Sequence, residues 1–341
     1  MDQKKSRRYC AAMLIVSVCL RVCMFLGLDD RLGRAVIAAF QDPRTAEFFL
    51  FLETGQRIEP VSEEPEVLTV HMQMPTPVPV TVKKKAPTKT VSADQIQVAG
   101  ACTYSYDKAA LLAKESSLDF SGDGPQVLIV HSHSTEAYTP SDGLSYEEIP
   151  SYRTLDETRN VIAVGEVLAE ALRQQGVEVI HDTSVNDYPD YNISYWNALQ
   201  KIERWQAEYP SIQMVLDIHR DAVENEDGEA VALLSSQAGQ QMAQLMLVVG
   251  TDEGGLEHPN WQENLANALK LQSVLMGQYP GLCRKMDLRT ERFDQHVSAG
   301  SLLIEVGTNG NTLTQAKASA VLLADAIVRT VELIEESKVS S

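Results

Sequence analysis

Cysteine is scarce, with five in 341 residues and no Cys-x-x-Cys pair. That excludes a disulfide-stapled scaffold and a zinc-thiolate site. Basic side chains are in deficit, 29 Lys and Arg against 47 Asp and Glu, for a formal net charge of −18. No phosphate-neutralising surface can be spread over such a chain, so a nucleic-acid binder is excluded. There is no Gly-x-Ser-x-Gly elbow, which removes the serine-hydrolase reading. What is present is ordinary for a folded chain, 44 % apolar and 22 % charged residues. The charge, however, is unevenly spread. Residues 1–34 carry seven basic and three acidic groups (net +4), and residues 35–341 carry 22 and 44 (net −22).

The basic end precedes an apolar run. Lys4, Lys5, Arg7 and Arg8 lead into Tyr9–Leu20, and a single Arg21 separates this from Val22–Leu28. A run of about 20 residues suffices to cross the hydrocarbon layer, and a long-stemmed arginine can snorkel. No clear small-x-small cleavage site follows it. The reading is a single-pass anchor, with a cytoplasmic N-terminus and the remainder outside the cytoplasm. Residues 30–52 read as an amphipathic helix, and six of fourteen prolines fall within 60–87. Proline at that density favours an extended, semi-rigid segment. The organisation expected is therefore a cytoplasmic tail (1–8), a transmembrane anchor (9–28), a stalk (29–100) and one folded domain (101–341).

Within the domain, strand-length apolar runs alternate with helical spacing. Strands are expected at 127–130, 177–180, 214–218, 230–234, 245–249 and 301–306. Helices are expected at 157–175, 194–208, 260–278 and 314–335. The alternation predicts an α/β fold, a mostly parallel central sheet flanked by helices. In such sheets the chemistry collects beyond the carboxyl ends of the strands.

Three of those ends carry metal ligands or carboxylates. The first strand runs into His131-Ser132-His133-Ser134-Thr135-Glu136. The third holds Asp217 and ends in His219-Arg220-Asp221, and Glu305 interrupts the apolar run Leu302–Val306. The chain has only seven histidines, and three sit at two of these ends. A lone histidine at a strand end is usually a hydrogen-bonding loop residue; the conjunction within one sheet is what points to a metal. Two imidazoles and a carboxylate form the ligand set of a catalytic zinc, and a carboxylate such as Glu305 fits a general base beside it.

Four stretches carry a resemblance: Gly124–Tyr138, Asp187–Asn192, Asp217–Ala222 and Leu303–Leu313. In this order, over about 100–335, the chain resembles the stage II sporulation protein P family, whose N-terminal anchor and variable stalk it also shares. The resemblance implies the fold of the zinc-dependent N-acetylmuramoyl-L-alanine amidases. It implies a zinc-dependent peptidoglycan hydrolase of endospore formers, acting as amidase and as endopeptidase on peptide cross-links. It further implies work alongside stage II sporulation proteins D and M during engulfment of the forespore. Carried over residue by residue, His133 and His219 match the histidine ligands and Glu305 the catalytic glutamate.

The carboxylate ligand is either Glu136, in the first motif, or Glu157, at the expected start of the following helix; Glu136 is favoured. His131 alternates to the opposite face and is read as packing. Arg220 is read as a partner for a substrate carboxylate, or else as an ion-pair partner of Asp217 or Asp221. Asn309 and Asn311 are read as caps of the last helix. His296 is a candidate for orienting a substrate carbonyl. The competing class is a catalytically silent wall-binding module that holds a partner hydrolase. The complete His/His/Glu set argues against it, since binding alone needs no base beside a metal.

Overall fold

The computed structural model describes residues 87–141, 145–147, 149 and 151–340. The anchor expected at 9–28, the helix at 30–52 and the proline-rich run as far as residue 86 lie outside them. Among the described residues, no helix is long and apolar enough to cross a membrane.

In chain order the elements are β1 (Val98–Ala99), α1 (Lys108–Ala113), β2 (Val127–Val130), α2 (Val161–Arg173), β3 (Val179–His181), α3 (Ser194–Glu208), β4 (Met214–Asp221), β5 (Leu234–Gln237), β6 (Gln240–Ala243), β7 (Leu245–Val249), α4 (Trp261–Gln278), β8 (Met286–Leu288), β9 (Gly300–Thr308) and α5 (Leu313–Ser340). Seven strands form one sheet in the order β1-β8-β7-β9-β4-β2-β3. All neighbouring pairs are parallel except β7 with β9. The sheet is thus an α/β sheet of two parallel groups running in opposite directions, joined at that one antiparallel seam.

Period-two alternation divides the strand residues between two cores. On one face Ile129, Leu216, Ile218, Leu247, Met286, Ile304 and Val306 pack with α2, α4 and α5 in the main core. On the other, Leu128, Val130 and Val215 pack under Ile202 of α3 in a smaller core. Helix α3 covers only the β2–β4 part of that face. The same-parity residues further along, Leu303, Glu305, Met246, Val248 and Asp287, instead line a cavity.

The strands with the strongest apolar runs lie where the sequence places them. The differences have local causes. Helix α2 begins at Val161 because Asn160 caps it, its Oδ1 accepting from Ile162 N at 3.0 Å. The strand expected at 230–234 starts only at Leu234 and pairs with β6 in a separate hairpin, turned at Ala238 and Gly239, both at positive φ. Strands β1 and β8, of two and three residues, are too short to leave a periodic signal. Residues before 101, expected in the stalk, pack on the domain. Ile96 is fully buried, Val91 N donates to Ser273 Oγ at 2.9 Å, and β1 pairs with β8.

Gly165, inside α2, faces the end of β2 at the closest approach of helix and sheet. A Cβ there would lie 2.5 Å from His131 Nε2 and 2.7 Å from His181 Nε2. Those rings cannot step aside. His131 is fully buried, its Nδ1 3.0 Å from Ile218 O and its Nε2 2.9 Å from His181 Nε2. In an exposed helix interior, Gly→Ala gains about 1 kcal/mol. Here Gly165→Ala is expected to lower the melting temperature instead, and a rise would contradict this packing.

Candidate functional site

Two strand ends and one turn bring the ligand atoms together. After β2 the chain turns through His133 and returns at Glu136, which bridges to Arg153. Within β4, His219 points to the cavity face. His133 Nδ1 lies 3.4 Å from Glu136 Oε1, and His219 Nδ1 lies 3.4 Å from Glu136 Oε2. One ligand atom from each of the three residues lies within 4.8 Å of the others. Among the described residues, this is the group of His, Cys, Asp and Glu so arranged that it can hold a metal ion. Each Glu136 oxygen faces a different imidazole nitrogen, so the donor set converges on one point, as a cation would require.

The ligands are held from behind. His219 Nε2 lies 3.0 Å from Asp217 Oδ1 and 2.8 Å from Ser132 Oγ, while Ser132 N donates to Asp217 Oδ1 at 2.9 Å. This fixes the ring with Nδ1 toward Glu136, an arrangement typical of metal-ligating histidine. Glu136 Oε2 accepts from Arg220 N at 3.1 Å, and its Oε1 lies 3.3 Å from Arg153 NH2. Arg153 NH1 in turn pairs with Asp187 at 2.5 Å. Asp187, whose side chain is fully buried, also accepts from Ser134 Oγ at 2.8 Å and Thr135 Oγ1 at 2.7 Å. The turn carrying His133 and Glu136 is thereby tied to the 182–193 segment.

The electrostatics follow from this wiring. Burial works against the Glu136 carboxylate, yet His133, His219 and Arg220 hold its pKa well below the usual range. Burial likewise disfavours the His219 imidazolium, but Asp217 and Glu136 hold its pKa well above the ordinary value. The site is built to stabilise positive charge beside Glu136. Glu305 is different. In the β4–β9 ladder it sits directly opposite His219, and burial, with Glu136 adding, pushes its carboxyl up to about 8. Its Oε2 is buried without a hydrogen-bond partner. Leaving that oxygen unpaired costs stability.

These groups open onto a cavity of about 620 Å³, walled by Tyr191 and Tyr195 on one side and by Asp287 and Arg289 on the other. The Tyr191 ring stacks on His133 with centroids 4.6 Å apart, and the Arg153 guanidinium lies 4.8 Å over it. Burial raises the Tyr195 pKa, so its phenol stays neutral.

The structure brings together His133, Glu136, His219 and Glu305. Glu157, the alternative carboxylate, is exposed in the turn before α2 and lies outside the cluster. Arg220 lines the cavity, but its side chain serves the backbone. Nε donates to Ala137 O at 2.8 Å, and NH2 donates to Ser151 O and Tyr152 O, each at 3.0 Å. It makes no ion pair with Asp217 or Asp221; Asp221 pairs with Arg284 at 2.8 Å. His296 sits on a short 3₁₀ turn (Gln295–Val297) and is not among the cavity residues. Helix α5 is capped by Thr312 rather than by asparagine. Gln315 N donates to Thr312 Oγ1 at 3.3 Å and Thr312 N to Gln315 Oε1 at 3.0 Å, a capping box. Asn311 closes the preceding turn, its Oδ1 accepting from Thr308 N at 2.9 Å. Cys102 and Cys283 are both free. Arg153 and Tyr195 had no signal in the sequence. Asp187 and Tyr191 lie in one of the family-like stretches, which gave them no role.

The Glu305 carboxyl makes a pH prediction for the chelator-treated protein. The folded state binds its proton more tightly than an unfolded chain at the ordinary value of 4.5, so stability falls as pH rises from there through about 8. Glu305→Gln removes this loss. The variant is expected to match wild type near pH 5 and to exceed it by about 1–3 kcal/mol near pH 9 in denaturant unfolding. Parallel curves would contradict the assignment.

The stage II sporulation protein P family model matches residues 49–328. A curated relative, the stage II sporulation protein P of Bacillus subtilis (strain 168), is 26 % identical over 223 residues, covering 62 % of this chain and 52 % of its own length. The chain thus spans about half the length of that relative. Among solved structures, an N-acetylmuramoyl-L-alanine amidase from Clostridium difficile 630 gives a TM-score of 0.36 at 16 % identity, covering 63 % of this chain and 100 % of its own. The amidase AmiC2 of Nostoc punctiforme gives 0.34 at 14 %, covering 62 % and 99 %. Scores this low carry no inference about function. The family match spans most of the sequence and takes in every element of the site from His133 to Glu305, and the chain belongs to the stage II sporulation protein P family.

Proposed function

We propose that the chain is a zinc-dependent peptidoglycan hydrolase, cleaving the amide between the N-acetylmuramoyl group and L-alanine and, on the same site, peptide cross-links. The observation that carries this reading is the cavity-lining Glu305 carboxyl, whose Oε2 is buried without a hydrogen-bond partner, beside a His133–Glu136–His219 donor set. Family membership adds the setting. The work is the engulfment step of sporulation, with stage II sporulation proteins D and M as partners. Residues 9–28 anchor the chain in the membrane and place the domain outside the cytoplasm.

His133, Glu136 and His219 would hold the zinc. Bound there, the ion supplies a Lewis acid for the scissile carbonyl and lowers the pKa of water. Water attacks the carbonyl carbon, Glu305 takes its proton, and the C–N bond breaks as Glu305 returns that proton to the leaving amine. A carboxyl whose burial raises its proton affinity suits both halves of this transfer. Asp217 and Ser132 keep the His219 ring oriented, and Arg153 keeps Glu136 in place. A silent wall-binding module needs no carboxyl of raised proton affinity beside that donor set.

The test uses the full-length protein with purified peptidoglycan and follows release of stem peptides together with bound metal. Glu305→Gln is expected to keep its zinc and to lose about 10²–10⁴-fold in rate. His219→Ala is expected to lose both. Hydrolysis retained by Glu305→Gln would overturn the mechanism.

A further inference from the structure

Behind His219 the sheet carries a much smaller cavity, of about 10 Å³. Its polar lining is Asp217, Asp294, Gln295 and Ser301. Asp294 is 9 % exposed and Ser301 2 %, and Asp294 Oδ2 and Ser301 Oγ are both buried without a hydrogen-bond partner. A native interior leaves few such atoms unpaired, and two in residues around one cavity point to a shared partner. The volume is about that of one water-sized sphere. We propose that the cavity holds a single water joining Asp294 and Ser301 to Asp217, which makes Asp294 a positioning residue for the His219 ring. The proposal rests on the zinc reading above, because it takes His219 as a ligand.

The strand register puts this cavity next to the metal corner. In the β4–β9 ladder Ser301 pairs with Val215 and Glu305 with His219. Period two then sets Val215, Asp217 and His219 on one face of β4, and Ser301, Leu303 and Glu305 on the same face of β9. The small cavity and the metal corner therefore occupy successive positions along the same two strands. Phe293 and Leu303 line both cavities, an apolar partition between them.

The loop that carries Asp294 is pinned. Gln295 Nε2 donates to Val248 O and Gln295 Oε1 accepts from Gly250 N, both at 2.9 Å. Asn264 Nδ2 donates to Ser298 O and to Ser301 O, both at 2.8 Å. Phe293 sits at φ +52°, a conformation that a bulky residue keeps only where its surroundings fix it. The Asp294 carboxyl is thus held at the cavity by bonds on its C-terminal side and a constrained residue on the other.

Hydrogen counting gives the direction of each bond to the water. Asp217 is an acceptor: Ser132 N donates to its Oδ1 at 2.9 Å and Ser132 Oγ to its Oδ2 at 2.6 Å, with His219 Nε2 3.0 Å from Oδ1. Like charge disfavours a second ionised carboxylate around so small a space. Burial, with Asp217 adding, pushes the Asp294 carboxyl up to about 8; Glu203 acts the same way, and Arg292 and His219 act against it without reversing it. At pH 7 Asp294 is therefore a neutral acid that donates to the water oxygen. The water gives one proton to Asp217 and the other to Ser301 Oγ. Both orphaned atoms then have a partner, and the water makes three bonds, the usual number for a buried one. A carboxylate behind a metal-ligating histidine orients the ring, and losing such support weakens metal binding.

The test measures zinc affinity of the full-length chain by competition with a chromophoric chelator. The variants are Asp294→Ala, Asp294→Asn, Ser301→Ala and the double variant Asp294→Ala/Ser301→Ala. Asp294→Ala is expected to bind zinc about ten- to a hundredfold more weakly. Asp294→Asn, whose amide keeps a neutral donor, is expected to stay close to wild type. Because Asp294 and Ser301 act through one water, the double variant is expected to lose no more than Asp294→Ala alone. A crystal structure of the chelator-treated wild type is read separately and needs neither a metal nor a variant that folds. It is expected to show a water within hydrogen-bond distance of Asp294, Ser301 and Asp217. No ordered water there, additive losses, or a lowered melting temperature with zinc affinity unchanged in Asp294→Ala overturns the proposal. The two readings fail separately. Weakened zinc binding as expected, with no stem peptides released by wild type, would overturn the hydrolase and leave this support standing. Normal release with zinc affinity unchanged in Asp294→Ala would overturn the support alone.

Discussion

The pairing of β4 with β9 places His219 directly opposite Glu305, and the rest of the site is arranged around that register. Side chains on a strand alternate faces, so a slip of one residue would send Glu305 into the main core and bring Ile304 or Val306 to the cavity. The register is held by the core itself. Leu216 and Ile218 of β4 and Ile304 and Val306 of β9 are all buried against the helices on the far face. Just past the site the ladder takes up an extra residue on β9, and Gly307 adopts φ +79° there. Bulges of this kind gather beside active sites, where they re-aim the chain. A Cβ at Gly307 would lie 2.8 Å from Ala243 Cβ, so this turn accepts only glycine without rearrangement.

Around this register the domain gathers three carboxylates. Glu136, Asp217 and Glu305 all face the same small volume. Two of them are compensated: Asp217 by Ser132 and His219, and Glu136 by Arg153, the Arg220 N–H and both histidines. Glu305 is not. Burying a carboxyl without a partner is unfavourable, and the raised pKa of Glu305 is the visible consequence. The compensation given to its neighbours shows that donors were available locally. The arrangement leaves one Glu305 oxygen unpaired while the His219 and Glu136 side chains beside it are fixed.

Much of this was legible in the sequence because the chemistry sits on strands that are otherwise apolar. His219 and Glu305 stand out as polar residues within strongly hydrophobic runs, and β2, β4, β7 and β9 fell where those runs are. Long-range placement was less legible. The sequence directed attention beyond the strand ends, whereas the cavity spreads over the open face of the sheet, which β7 and β8 complete. Strand β8 is three residues long with an aspartate in the middle, too short for periodicity to show. Spacing alone could not choose between Glu136 and Glu157; in the fold Glu136 lies beside both histidines, whereas Glu157 is exposed in the turn before α2. Arg220 looked like a substrate partner because its guanidinium suits carboxylates, but the backbone carbonyls of Ala137, Ser151 and Tyr152 claim it first. The contribution of Arg153 depends on a tertiary bridge that no local pattern records.

On the proposed reading, the chain joins the His133–Glu136–His219 corner to an open sheet-face cleft, with Glu305 on the adjoining strand as the base. The central claim is that a single metal ion sits within the His133–Glu136–His219 triangle while Glu305 stays free of it to move a proton. Anomalous X-ray scattering at the zinc edge from crystals of the zinc-loaded protein tests this most directly. The account predicts one peak per chain, in contact with those three side chains and outside bonding distance of Glu305. No peak at that position, or an ion held by Glu305 as a ligand, would contradict it.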